Sequence, residues 1–190
     1  NGMIVNENTP LVLYTEYEDG ASDDSDYASA QMGIYSLKDR KWIVEPARQR
    51  VTLFTDSVYM IGSDVGNLYR TDGTCIEEGA EDVTVQGNFI ISRRAVYDKT
   101  GQLLLMIQEN ESVWTVLYDE ILINEYFSDG SHYTKCVNAQ GETIWIEQSG
   151  LTWTGGEAGW RIYNSWNDTN EKGLLTATRD DNTLKIVLSE

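Results

Sequence analysis

The chain is poor in the residues that most often do chemistry. Of 190 residues one is histidine, His132, and two are cysteine, Cys75 and Cys136. A single imidazole excludes any mechanism that needs two, such as a helix-borne zinc-protease pair. Two isolated cysteines build neither a disulfide framework nor a four-cysteine zinc site, although one bridge between them stays open. Positive charge is scarce: 14 Lys and Arg stand against 31 Asp and Glu, a formal charge of −17. Nucleic acid and anionic lipid therefore find nothing here to neutralise them. No apolar run approaches the roughly 20 residues of a membrane-crossing helix, so membrane insertion is not expected. Gly155-Gly156 precedes no helix, which leaves the chain without a phosphate-cradling loop. It opens on Asn1-Gly2-Met3 with no apolar leader. That fits an exported protein trimmed of its signal, and it sets the expectation of an extracellular or cell-surface location.

What is present is material for β-structure. The chain is 41% hydrophobic, enough for a core, and holds 6 Trp, 11 Tyr and 3 Phe beside 16 Gly but only 2 Pro. Aromatics favour strands and glycines favour tight turns. The length makes one domain over residues 1–190 the leading expectation. Short apolar runs recur between turn signals. Tyr69-Arg70-Thr71-Asp72-Gly73-Thr74-Cys75-Ile76 aligns with Tyr97-Asp98-Lys99-Thr100-Gly101-Gln102-Leu103-Leu104 and with Val137-Asn138-Ala139-Gln140-Gly141-Glu142-Thr143-Ile144. Each reads as strand, tight turn, strand, with glycine supplying the positive φ of the turn. Looser copies run from Ser36 to Ile43 and from Ala177 to Leu184. The turns fall near 40, 73, 101, 141 and 181, about 28 to 40 residues apart, a repeat-protein spacing.

Before each hairpin stands a short apolar run: Leu11–Tyr14, Val58–Ile61, Asn88–Ile91, Glu120–Ile123 and Trp160–Tyr163. Four or five such residues are too few for a helix and suit a strand covered on both faces. After several hairpins comes a weaker strand: Val51–Phe54, Asp82–Val85, Val113–Leu117 and Leu151–Thr154. Four strands per repeat is the blade of a β-propeller. The sequence thus predicts an all-β chain of five repeats, most simply a small five-bladed propeller, with a β-sandwich or an open β-repeat array as the alternative. The fifth repeat ends without its outer strand, so Met3-Ile4-Val5 is expected to pair with it and close the ring.

Lys38-Asp39-Arg40-Lys41-Trp42-Ile43-Val44-Glu45-Pro46 and Tyr97-Asp98-Lys99-Thr100-Gly101-Gln102 resemble the repeat of bacterial WG-repeat proteins and of small bacterial propeller-like proteins. The resemblance implies a structural repeat and carries no catalytic residue.

Three constellations invite a functional reading. The insertion at about 18–30 holds Asp19, Asp23, Asp24 and Asp26 beside Glu16 and Glu18. These oxygens could gather calcium, but the spacing is not that of an EF-hand, and a solvated acidic loop is the plainer reading. Trp145, Trp153, Trp160 and Trp166 crowd the last third. Most belong in a core by size, whereas Trp153 and Trp166, next to turn residues, are candidates to stack on a sugar ring. His132 and Cys136 lie four apart, too far along a strand to form a nucleophile and base. Paired carboxylates could hydrolyse glycosides, yet among 31 acids the sequence singles out no pair. The expectation is a monomeric, non-catalytic binding or protein-interaction module without a cofactor, its partner a protein or a glycan. The alternative is a carbohydrate-binding or glycoside-hydrolysing protein.

Overall fold

The computed structural model describes the backbone of residues 2–5, 10–17, 30–117, 120–148, 151–155, 161–167, 172–179 and 182–188, and the side chains of 10–17, 30–116 and 120–144. The described chain is all β: twenty strands and no helix, gathered into five four-stranded antiparallel sheets. Sheet I comprises β1 (Gly2–Val5), β2 (Leu11–Glu16), β3 (Gln31–Ser36) and β4 (Lys41–Arg48). Sheet II comprises β5 (Val51–Leu53), β6 (Val58–Gly62), β7 (Val65–Arg70) and β8 (Cys75–Glu81). Sheet III comprises β9 (Thr84–Gln86), β10 (Phe89–Ile91), β11 (Ala95–Asp98) and β12 (Leu103–Met106). Sheet IV comprises β13 (Glu111–Leu117), β14 (Glu120–Tyr126), β15 (His132–Val137) and β16 (Thr143–Gln148). Sheet V comprises β17 (Leu151–Gly155), β18 (Arg161–Asn167), β19 (Lys172–Arg179) and β20 (Asn182–Leu188). Two compact units hold them, Asn1–Ile107 with sheets I to III and Gln108–Glu190 with sheets IV and V.

The five-fold repeat stands, but its phase is shifted by one strand from the sequence reading. Val51–Leu53 pairs with β6, not with sheet I, through Val51↔Ile61 and Leu53↔Tyr59. Thr84–Gln86 likewise pairs with β10, Glu111–Leu117 with β14 and Leu151–Gly155 with β18. Each strand expected to finish a repeat in fact opens the next. Turn chemistry decides this. Between β5 and β6 the Thr55 hydroxyl accepts from the amides of Ser57 at 3.1 Å and Val58 at 3.0 Å, tying a hairpin. Between β9 and β10 stands the two-residue turn Gly87-Asn88, with Gly87 at φ 58°.

The same shift corrects the expected closure. Met3-Ile4-Val5 does not complete the fifth sheet. It lies in β1 and pairs with β2, Met3↔Tyr14, Ile4↔Leu13 and Val5↔Val12. Sheet V already has four strands of its own from residues 151–188. No outer strand is missing there for the N-terminus to supply.

The turns between third and fourth strands are where the sequence placed them. Arg40, Gly73, Gly101 and Gly141 adopt φ of 53°, 92°, 80° and 82°; the fifth turn, at 180–181, lies outside the described residues. At three of them one bond pattern recurs: Arg70, Asp98 and Asn138 donate N–H to the carbonyls of Thr74, Gln102 and Glu142 at 2.9, 3.0 and 2.9 Å, while their own carbonyls accept from Gly73, Gly101 and Gly141. Asp98 Oδ1 accepts from the Thr100 and Gln102 amides at 2.8 and 2.9 Å. Asn138 Oδ1 accepts from Gln140 and Glu142 at 3.0 and 2.9 Å, so carboxylate and amide do one job in two sheets.

In the first unit the core lies between the sheets. Leu11, Met32, Ile34 and Val44 of sheet I pack with Val51 and Tyr59 of sheet II. From the other face of sheet II, Val58, Met60, Leu68 and Ala80 pack with Ile90, Ala95 and Tyr97 of sheet III. Alternate residues of β6 thus face opposite neighbours, as an apolar run covered on both sides requires. In the second unit Ile121, Leu122 and Ile123 of β14 are all fully buried.

Candidate functional site

Between sheets II and III, within the first unit, lies an open groove of about 380 Å³. A bulge builds one wall. Tyr97 pairs with Leu103 and Val96 with Leu105, so Leu104 is an extra residue on β12, and Ala95 pairs with Met106. The extra residue puts Leu103 and Met106, three apart, on the face that carries Ala95 and Tyr97. Both remain about half exposed, at 48% and 52%. Ile76 of β8 lines the opposite side.

Gly101 closes one end. A side chain there would come within 3.0 Å of Ile76 and Val58 and 3.2 Å of Arg70, so the turn before β12 sits directly on sheet II. The Arg70 guanidinium donates to the Gly101 carbonyl at 2.9 Å, and the Thr55 hydroxyl to that of Lys99 at 2.8 Å. These bonds fasten the turn of one sheet to its neighbour.

Glu77 sits at the base of the groove with its side chain only 8% exposed. Its Oε1 meets Arg94 Nε at 3.2 Å; its Oε2 accepts from the Ser92 hydroxyl at 2.7 Å and the Tyr97 phenol at 3.0 Å. Arg94 also donates to the carbonyls of Glu78 and, at 2.9 Å, Gly79. Burial, then the neighbouring Glu77 carboxylate, pushes the Tyr97 phenol well above its ordinary value, so it stays a donor. The buried carboxylate is thus matched by one cation and two hydroxyl donors. Among the described residues, no serine, cysteine or histidine lines the groove.

The second unit has its own buried pair. The Lys135 ammonium meets Glu111 across sheet IV with the two side chains 18% and 5% exposed, and Glu111 Oε2 also accepts from the Gln108 amide at 3.0 Å. His132 and Cys136 share β15 but do not meet. Cys136, fully buried, donates its thiol to Glu120 Oε2 at 3.3 Å, while the His132 ring lies 6.0 Å from that of Tyr126. Cys75 and Cys136 are not joined in a disulfide; Cys75 is exposed and Cys136 buried.

Of the residues singled out from sequence, Trp153 stands on β17 opposite Tyr163, and Trp166 on β18 opposite Gly173; their side chains lie outside the described residues. Asp19, Asp23, Asp24 and Asp26 lie outside them altogether. Glu16, beside that stretch, accepts from the Tyr14 phenol at 2.6 Å. Among the described residues no three His, Cys, Asp or Glu side chains are placed to hold a metal ion, and no helix is long and apolar enough to cross a membrane. The groove is not legible in the sequence because Glu77, on β8, and Arg94, in the turn between β10 and β11, stand 17 residues apart. The available signal was the uncharged run Leu103-Leu104-Leu105-Met106 next to a turn.

No protein-family model matches the chain. Over 134 residues it is 24% identical to a bifunctional uridylyltransferase/uridylyl-removing enzyme of Burkholderia pseudomallei (strain K96243). The similarity takes in 67% of this chain and 15% of that enzyme's length.

Proposed function

We propose that this chain is a non-catalytic binding or protein-interaction module, its five sheets arranged as the blades of a small propeller of the WG-repeat kind. The observation that carries the functional reading is the groove between sheets II and III. It has apolar walls and an open mouth, and its one buried acid is already paired. Binding sites are mostly apolar concavities with a few fixed polar groups, whereas an acid or base that works must be free to exchange its proton. The propeller arrangement rests on the repeated four-strand meander and on the packing of sheet I against II and of II against III.

The experiment is a selection of peptides from a random display library, run beside a glycan array. Peptides that bind the native chain and lose affinity in a Met106→Glu variant support the reading. Glycan hits abolished by Trp153→Ala or Trp166→Ala, with no peptide selected, would replace it by the carbohydrate-binding alternative.

A further inference from the structure

We propose that β12 is a docking edge: an extended segment of a partner protein, with apolar side chains at alternate positions and Lys or Arg between them, adds to it as a further strand and sets an apolar side chain in the groove. This rests on the interaction-module reading and specifies its mode.

The closing strands of the sheets differ in how their open edges are guarded. β4 carries Lys41, Glu45, Pro46 and Arg48, and β8 carries Glu77, Glu78 and Glu81. β16 has Glu147 and β20 has Lys185. Charges and proline on an edge discourage another chain from pairing with it. β12 reads Leu-Leu-Leu-Met and has none of these guards. It is the outermost strand of sheet III.

Its backbone is set out for pairing. Ile107 donates its amide to the Arg94 carbonyl at 2.8 Å. The next pair along, Ala95 and Met106, is therefore the one that does not exchange bonds, and the N–H and C=O of Met106 point away from β11. A strand laid along that edge bonds them, and its inward side chain meets the exposed flanks of Leu103 and Met106 at the mouth of the groove.

Charge selects the partner. Both guanidiniums in the lining are matched by carboxylates: Arg94 pairs with Glu77, and Arg70, bonded to the Gly101 carbonyl, helps to hold the Asp72 and Asp98 carboxyls below their ordinary values. The exposed carboxylate of Glu78 has no ion pair among the described residues. With a chain charge of −17 behind it, the site favours a cationic segment and repels an acidic one.

The probe is a soluble peptide of about ten residues alternating Val and Lys, offered to the full chain and compared with a Val/Glu counterpart and with a Val/Lys peptide N-methylated on alternate residues. The expected result is slowed amide exchange at Met106 on adding the Val/Lys peptide, with affinity about tenfold or more lower for both other peptides and for the Met106→Glu chain. N-methylation leaves charge and side chains intact and removes only strand bonding, so this arm needs no variant to fold. Equal affinity for the methylated peptide, exchange protection confined to another region, or no binding of the Val/Lys peptide would overturn the docking edge. If library-selected peptides still bind, the interaction-module reading survives that failure; if they do not, both fall.

Discussion

Two glycines in equivalent turns separate the backbone's demand from the packing between sheets. Gly73 and Gly101 hold φ of 92° and 80°, a region that side chains rarely occupy. Around Gly73 an added methyl meets nothing within 4 Å. At Gly101 it meets Ile76 and Val58 at 3.0 Å and Arg70 at 3.2 Å, all on the neighbouring sheet. Gly73→Ala should therefore cost only left-handed backbone strain, about 1 to 2 kcal/mol. Gly101→Ala should cost the same plus overpacking of a well-filled contact, about 1 to 3 kcal/mol more. Urea unfolding of the two variants, compared at unchanged slope, measures the difference directly. A third variant locates its source. Ile76→Val removes one of the two methyl groups nearest the intruding atom, so the Ile76→Val, Gly101→Ala double variant should be more stable than the sum of the single changes by about 0.5 to 1 kcal/mol. Equal losses for Gly73→Ala and Gly101→Ala, within about 0.5 kcal/mol, would refute the claim that the turn of sheet III is seated on sheet II.

Other predictions follow from single groups. Burial pushes the Asp98 carboxyl up, but bonds from Thr100 and Gln102 outweigh it and hold the group below its ordinary value. Its stabilising contribution is thus present above the unfolded value of about 3.9 and lost as pH falls below it. Asp98→Asn, which copies the Asn138 turn, should fold normally at pH 7 and show a flatter loss of melting temperature between about pH 5 and 2. Arg94→Met should lower stability by about 1 to 2 kcal/mol, a figure reduced for its exposed guanidinium, because it leaves the buried Glu77 charge without its cation. Glu77→Gln in that background should recover part of the loss in the same denaturation assay. Cys75 should react with a thiol reagent in the native chain and Cys136 only on unfolding; comparable native rates would contradict the packing of sheet IV. A rise of several degrees in the melting temperature in millimolar calcium would assign Asp19, Asp23, Asp24 and Asp26 as ligands, whereas an unchanged value would leave them a solvated acidic loop.

The class of fold was legible because its signals are local. Asp72-Gly73 and Thr100-Gly101 announce their own turns, and Val58-Tyr59-Met60-Ile61 announces a strand buried on both faces by composition alone. The grouping of strands into sheets was misread by one step. Val51–Leu53 lies two residues from β4 and four from β6, so nearness in sequence points to the wrong neighbour, and only the bonds of Thr55 from the following amides reveal which one it joins. The groove was illegible for a different reason. It depends on a one-residue bulge at Leu104 and on Ser92, Arg94 and Tyr97 meeting Glu77 from another sheet, and neither has a fixed spacing along the chain.

That β1 pairs with the strand next to it has a consequence for how the protein is made. All five sheets consist of consecutive strands, so none waits for a distant terminus to finish its hydrogen bonding. Sheet I has every strand it needs once residue 48 has left the ribosome, and each later sheet can assemble as its own stretch emerges. Translation of these residues can therefore proceed without β1 held unpaired in reserve, the kind of segment that elsewhere must be shielded from aggregation until its partner emerges.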